Sequence, residues 1–123
     1  MTINQDQLID CLFCKIAKHA SPAKIFYQDE MVTVFKDIHP ASDIHLLIIP
    51  NYHYSQIEEI GEENFSIFVS LFTAARLIAA KLNLAENGYR LILNNGAGAG
   101  QTIPHLHLHL LAGEKLPGFR HGQ

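Results

Sequence analysis

What this chain has little of narrows its function first. It has no excess of positive charge: nine Lys and Arg against twelve Asp and Glu leave a formal net charge of −3. It therefore carries no electrostatic footprint for nucleic acid, and none is expected as a partner. No apolar run approaches the roughly 20 residues that a membrane-spanning helix needs, so no membrane partner is expected. Cysteine is confined to Cys11 and Cys14, a poor basis for a secreted disulfide framework. The first residues, Met1-Thr2-Ile3-Asn4-Gln5-Asp6-Gln7, are polar and lack a signal-peptide pattern. These features together predict a soluble, cytoplasmic protein. Internal repeats and low-complexity segments are also missing. The 123 residues suit a single domain over 1–123, with its core at about 11–113 and a C-terminal tail over 114–123.

The elements that are present alternate in type. Leu12 to Ala20 reads as a short helix closed by Ser21-Pro22. Lys24–Gln28 and Met31–Asp37 read as two strands of a hairpin. His39–Asp43 is a loop, because Pro40 disfavours helix before it. His45–Ile49 is a buried strand stopped by Pro50. Glu62 to Leu82 is the one long helical pattern, with Phe65, Phe68, Phe72, Ala75, Ala79 and Leu82 as its apolar stripe. The stripe predicts core packing, and its aromatic content leaves room for a subunit interface. Asn83 and Gly88 supply stop signals. Tyr89–Asn94 is a fourth strand and His105–Leu111 a fifth. Short turns and one inserted helix predict an α+β fold: an antiparallel five-stranded sheet, one long helix and a short N-terminal helix.

The fifth strand carries the chemistry. In His105-Leu106-His107-Leu108-His109-Leu110-Leu111 three imidazoles alternate with leucines at the two-residue period of a strand. The leucines should face a core and the histidines one polar surface. Same-side rings then start about 6.6 Å apart, at roughly 3.3 Å per residue, close enough for two ring tips to meet on one phosphate-sized group. Spacing alone leaves a metal site and a phosphate site equally open. The preceding loop, Asn94-Asn95-Gly96-Ala97-Gly98-Ala99-Gly100-Gln101-Thr102, shifts the balance towards phosphate. Its glycines permit positive φ, and successive N–H groups in such a turn form an anion-binding concavity. It is neither a dinucleotide fingerprint, since Gln101 stands where a third glycine belongs, nor a P-loop, which needs Gly-Lys-Ser/Thr.

The run Gly100-Gln101-Thr102-Ile103-Pro104-His105-Leu106-His107-Leu108-His109-Leu110-Leu111 resembles the signature of the histidine triad nucleotide-binding family, in its small Hint branch. Pro22–Ile25, Phe35–Pro40, His45–His53 and Gly88–Arg90 resemble Hint segments in the same order. Pro104 departs from the pattern and removes one amide donor directly before the triad.

The resemblance implies binding of a purine nucleoside monophosphate and hydrolysis of the P–N bond of its 5′-phosphoramidates. His107 matches the family nucleophile. A neutral imidazole is nucleophilic near pH 7, its unperturbed pKa being about 6.5. Attack at phosphorus gives a nucleotidyl-histidine intermediate, and the other ring nitrogen is expected to donate to the carbonyl of His105. His109, Asn94, Thr102, Gly100 and Gln101 match phosphate contacts, and His45 a supporting histidine. Asp37 matches the ribose ligand, and Phe13, Ile16, Phe35, Ile38 and Leu47 the base pocket; plain core is the alternative for all five, and the better one for Ile16 and Leu47 taken individually. No cofactor is implied for catalysis. The resemblance implies a homodimer built on the long helix and an edge strand. A dinucleoside polyphosphate hydrolase and a nucleotide-binding regulatory module are the alternatives.

Cys11-Leu12-Phe13-Cys14 is a C-x-x-C pair. A redox pair, two buried thiols and half of a zinc site are the readings its spacing leaves open. Some bacterial relatives resemble a four-ligand zinc arrangement that Cys11, Cys14, His53 and His105 match, which implies a structural zinc. His19, His39 and His121 carry no expected role.

Overall fold

The computed structural model describes residues 11–113 and 116. The expected tail and His121 lie outside the described residues, apart from Leu116. Five strands, β1 (Ile25–Gln28), β2 (Val32–Lys36), β3 (Ile44–Pro50), β4 (Arg90–Ile92) and β5 (Leu108–Ala112), form one sheet in the order β1-β2-β3-β5-β4. Every neighbouring pair is antiparallel. This is the α+β architecture that the sequence predicts.

Side chains alternate across the sheet. Val32, Val34, Leu46, Ile48, Leu108 and Leu110 point to one face, where they pack on the long helix α2 (Ser66–Lys81). Phe35, Leu47 and Ile49 point to the other, under the short helix α1 (Leu12–Ala17), and pack on its Phe13 and Ile16. Those apolar contacts leave His109 of β5, and His105 and His107 just before it, on the α1 side.

α1 begins at Cys11, whose sulfur accepts the Cys14 N–H at 3.3 Å and caps the helix. It ends at Ala17, short of the expected Ala20, because His19 adopts a left-handed backbone (φ 61°). α2 stops as predicted at Asn83 (φ 59°), with the Leu84 N–H returning to the Ala79 carbonyl at 2.8 Å and the Asn83 N–H to Ala80 at 3.2 Å.

The face that α2 buries overlaps the expected stripe only in part. Ala75 and Ala79 are buried and Phe68 and Leu82 pack on the core as expected, but Phe65 and Phe72 are exposed, and Ile67, Leu71, Ala74 and Ile78 take the buried positions. A helix apolar on more than one face has no unique stripe, and the β-branched and small side chains fit the twisted sheet more closely than phenylalanine. The 20-residue helical stretch Glu62–Lys81 is also long and apolar enough to cross a bilayer by length and composition, contrary to expectation. Its inner residues are the core of this sheet.

Candidate active site

The triad reaches β5 through a tight turn. The His105 N–H bonds back to the Ile103 carbonyl across Pro104 (2.8 Å), and the Leu106 N–H donates to Tyr54 (2.7 Å). Regular strand starts only at Leu108, so His105 and His107 sit on the approach to it. The leucines face the core as expected. The histidine side is not an open polar surface: His105 is fully buried and His107 nearly so, because α1 lies over them. Phe13 meets the His107 ring edge-on, with centroids 5.3 Å apart and planes at 85°.

Each ring has a tautomer that its neighbours dictate. Nδ1 of His107 donates to the carbonyl of His105 at 2.8 Å. A neutral imidazole carries one N–H, so Nε2 of His107 keeps its lone pair. Nδ1 of His45 accepts the Ala41 N–H at 3.0 Å, which puts the proton of the neutral ring on Nε2. That N–H lies 2.9 Å from Nδ1 of His109 and 3.4 Å from Oδ2 of Asp37. His109 therefore accepts on Nδ1 and presents Nε2–H, next to His107 at a centroid distance of 4.9 Å. Burial, with His107 and His45 adding to it, pushes the pKa of His109 down to about 4, so its ring is neutral at pH 7.

His105 turns away from this group. Its Nε2–H donates to the Pro50 carbonyl at 2.9 Å, which leaves the Nδ1 lone pair facing two sulfurs, Cys11 Sγ at 3.3 Å and Cys14 Sγ at 3.5 Å. His53 Nδ1 lies 3.3 Å from Cys14 Sγ, with its Nε2 on Ser55 Oγ at 3.3 Å. The four donor atoms all lie within 4.8 Å of one another. A zinc tetrahedron with ordinary Zn–S and Zn–N bonds places S and N about 3.5 Å apart, so this cluster fits zinc. Both histidines engage a hydrogen-bond acceptor with the outer nitrogen, the second-shell arrangement of metal-bound imidazole. Burial pushes the Cys14 thiol up to about 12, with its contact to Cys11 adding to the rise; a divalent cation among the sulfurs reverses that preference. Asp37, His45 and His109 are a second compact donor group, but the Ala41 amide directs a proton, not a lone pair, into its centre. The second group is a proton-bearing network, and the first is a donor set whose geometry fits zinc.

The glycine-rich loop folds on itself. Gly96 and Gly100 take positive φ (95° and 97°), whereas Gly98 does not. The N–H groups of Gly100 and Gln101 donate to Ala97 and Gly96 carbonyls at 3.0 and 3.1 Å. The Gln101 side chain accepts the Gly96 N–H (2.7 Å) and donates to Ser55 and Ile103 carbonyls (2.6 and 3.0 Å). Both Gly100 and Gln101, expected on phosphate, thus brace the loop in this structure. Asn94 approaches Gly100, its Nδ2 being 3.9 Å from where a Gly100 Cβ would lie, and Thr102 is exposed. Of the expected base-pocket residues, Phe13, Ile16, Phe35 and Leu47 form one buried cluster with Ile49. Ile38 stands apart, 78% exposed.

The HIT domain family model matches residues 18–116. The chain belongs to the HIT family. It is 39% identical to the purine nucleoside phosphoramidase of Escherichia coli K12, over 87% of this chain and 90% of that one. It is 45% identical to an uncharacterized HIT-like protein of Buchnera aphidicola, over 85% and 94% of the two chains. A histidine triad protein from Clostridium difficile superposes with a TM-score of 0.89 at 36% identity, over 91% of this chain and 97% of that one. A HIT family hydrolase from Clostridium thermocellum gives 0.87 at 47% identity, over 92% and 98%.

In this HIT chain the fold gathers His45, His107, His109 and Asp37 into one network, and Cys11, Cys14, His53 and His105 into another. The supporting groups that sequence reading missed are mostly backbone: the Ala41 amide on His45 and the Pro50 carbonyl on His105, with Ser55 on His53. Backbone groups leave no residue-type signal. His19 pairs with Gln28 on the surface at 2.6 Å, and His39 is exposed.

Proposed function

We propose that this HIT protein hydrolyses the P–N bond of purine nucleoside 5′-phosphoramidates by way of a nucleotidyl-His107 intermediate. The observation that carries this reading is the His107–His105 hydrogen bond, which holds the Nε2 lone pair available on a neutral ring. The 39% identity to a purine nucleoside phosphoramidase supports the substrate class. Nε2 attacks the α-phosphorus, and the N–P bond forms as the P–N bond breaks. The electron pair goes to the departing nitrogen, which leaves as the amine with a proton from solvent. The imidazolium formed on His107 is held through Nδ1–H by the His105 carbonyl. Water then attacks phosphorus and returns the electron pair to Nε2, releasing the monophosphate and a proton. His109 Nε2–H, fixed by His45, serves as a donor to the phosphoryl oxygens where negative charge grows. Asp37 holds the ribose hydroxyls, Asn94 and Thr102 the phosphate, with the Gly100–Gln101 segment shaping the loop beside it through its own hydrogen bonds, and the Phe13/Ile16/Phe35/Leu47 cluster the base.

Zinc on Cys11, Cys14, His53 and His105 is structural in this reading and takes no part in the steps above. A reducing cytoplasmic setting keeps both thiols available to it. The exposed Phe65, Val69 and Phe72 of α2 form the homodimer contact. The test is turnover of an adenosine 5′-phosphoramidate by the native protein and by His107→Ala. Turnover that the substitution abolishes supports the reading. No turnover by a folded, AMP-binding native protein overturns it in favour of a nucleotide-binding module. Preferred cleavage of a diadenosine polyphosphate reassigns the leaving group.

A further inference from the structure

We infer that the Cys11/Cys14/His53/His105 cluster sets the orientation of the nucleophile, so that filling or emptying it tunes the chemical step. The inference rests on the zinc reading above and extends it from a structural metal to a positioning one. Two of the walls around the His107 ring hang from this cluster. One is the carbonyl of His105, which takes the His107 Nδ1–H at 2.8 Å and belongs to a residue whose ring is itself one of the four donors. The other is Phe13, edge-on to His107 at 5.3 Å. Phe13 also lies 5.9 Å from the His105 ring and 5.3 Å from Phe35. It is placed between Cys11 and Cys14, so the two sulfurs pin the turn that carries it.

Without a cation these sulfurs hold the imidazoles only through S···N contacts of 3.3–3.5 Å, and thiols are weak donors and acceptors. α1 has six residues, too few to be helical by itself. Among the described residues its other anchors include the burial of Phe13 and Ile16 and a hydrogen bond from Gln28 Nε2 to the Ala17 carbonyl at 2.8 Å. These keep the helix on the sheet. A cation on all four donors would add a further constraint on the Cys11–Cys14 turn, because it would join α1, the Pro50–His53 segment and the start of the triad at one point. His105 and Phe13 are positioning residues here: neither attacks phosphorus, and both hold the group that does.

The experiment uses the full chain, loaded with zinc and then stripped with a chelator, with metal content measured in both forms. Nitrogen-15 NMR of the histidine rings reads the His107 tautomer, and kcat and KM are taken on an adenosine 5′-phosphoramidate. The loaded protein is expected to show His107 in the single Nδ1–H tautomer. The stripped protein is expected to show averaged signals and a kcat lower by about tenfold or more, with KM changed much less. Identical His107 signals and equal kcat in the two forms overturn the inference while leaving the zinc site intact. A protein that binds no zinc overturns the zinc reading instead. The positioning role is then judged on His53→Ala, which removes a cluster member without touching His107. Averaged His107 signals and a lowered kcat in a folded variant support it, and unchanged values overturn it.

Discussion

His45 Nε2 and His109 Nδ1 lie 2.9 Å apart, with the proton on His45 because the Ala41 amide occupies its other nitrogen. This single contact decides which His109 nitrogen carries the proton, and so which one the proposed mechanism offers to a phosphoryl group. His45→Ala removes it and leaves the partly buried His109 Nδ1 without its donor, so the ring is free to adopt either tautomer. Losing one partner of such a buried hydrogen bond costs about 1–3 kcal/mol, or roughly ten- to hundredfold in rate. Steady-state kinetics on a phosphoramidate should show that loss in kcat with KM nearly unchanged. An equal fall in affinity for AMP would mean that His45 acts on binding.

The depressed pKa of His109 makes the fold acid-sensitive in a defined window. Its ring stays neutral in the folded chain down to about 4, whereas in the unfolded chain it takes up a proton near the ordinary histidine value of about 6.5. The unfolded state therefore binds more protons between those values, and stability falls as pH drops through them. It is fully present above about 6.5 and lost by about 4. Urea midpoints at pH 7 and pH 4.5 should differ, with the lower one at pH 4.5. Burial also lowers the pKa values of His53 and His105, which adds in the same direction. His109→Gln isolates its share, and the gap between the two midpoints should narrow in that variant.

The strand-like His/Leu alternation revealed which side chains face the core, because a two-residue period has only two faces. It did not reveal that α1 roofs the histidine side, since nothing in Leu12–Ala17 states where a short helix docks. The clustering of Cys11, Cys14, His53 and His105 was readable because cysteine and histidine are chemically distinctive at any distance in sequence. The Asp37–His45–His109 network was not: its geometry depends on the register that sets Leu47 opposite His109 and on a backbone amide at Ala41. The α2 stripe was placed only in part for a related reason. The helix carries large apolar residues on both faces, Ile67, Leu71 and Ile78 on one and Phe65 and Phe72 on the other, so periodicity left Phe65 and Phe72 indistinguishable from core positions.

Gln101 is expected to matter for the loop before it matters for any ligand. Its side chain ties Gly96 to the Ser55 and Ile103 carbonyls. Gln101→Glu keeps the size but has no N–H to give those carbonyls, and its carboxylate faces two acceptors. A stability loss of about 1–3 kcal/mol is expected, with a raised KM. Gly100→Ala is expected to act the same way, since φ at 97° is strained for any residue with a Cβ. Thermal denaturation and AMP titration separate the two effects. A Gln101→Glu protein with native stability but no AMP binding would place the side chain on the phosphate.

Phe65, Val69 and Phe72 recur at helical spacing on the outer face of α2 and are all exposed, Val69 at 68% and Phe72 at 51%. Two large aromatics and a valine in one row are costly to leave in water, at about 25 cal/mol per Å² of apolar surface, and this row is the contact the proposed homodimer would bury. Sedimentation of the native chain should therefore give a dimer at micromolar concentration. Phe72→Glu places a charge in the centre of the row and should yield a folded monomer, because the substitution touches none of the buried residues Ile67, Leu71, Ala75 and Ile78. A native chain that sediments as a monomer sinks the homodimer. A Phe72→Glu chain that remains dimeric moves the interface elsewhere, with the open edge of β4 as the next candidate. Retained phosphoramidate turnover in the monomer would show that the site is complete within one chain.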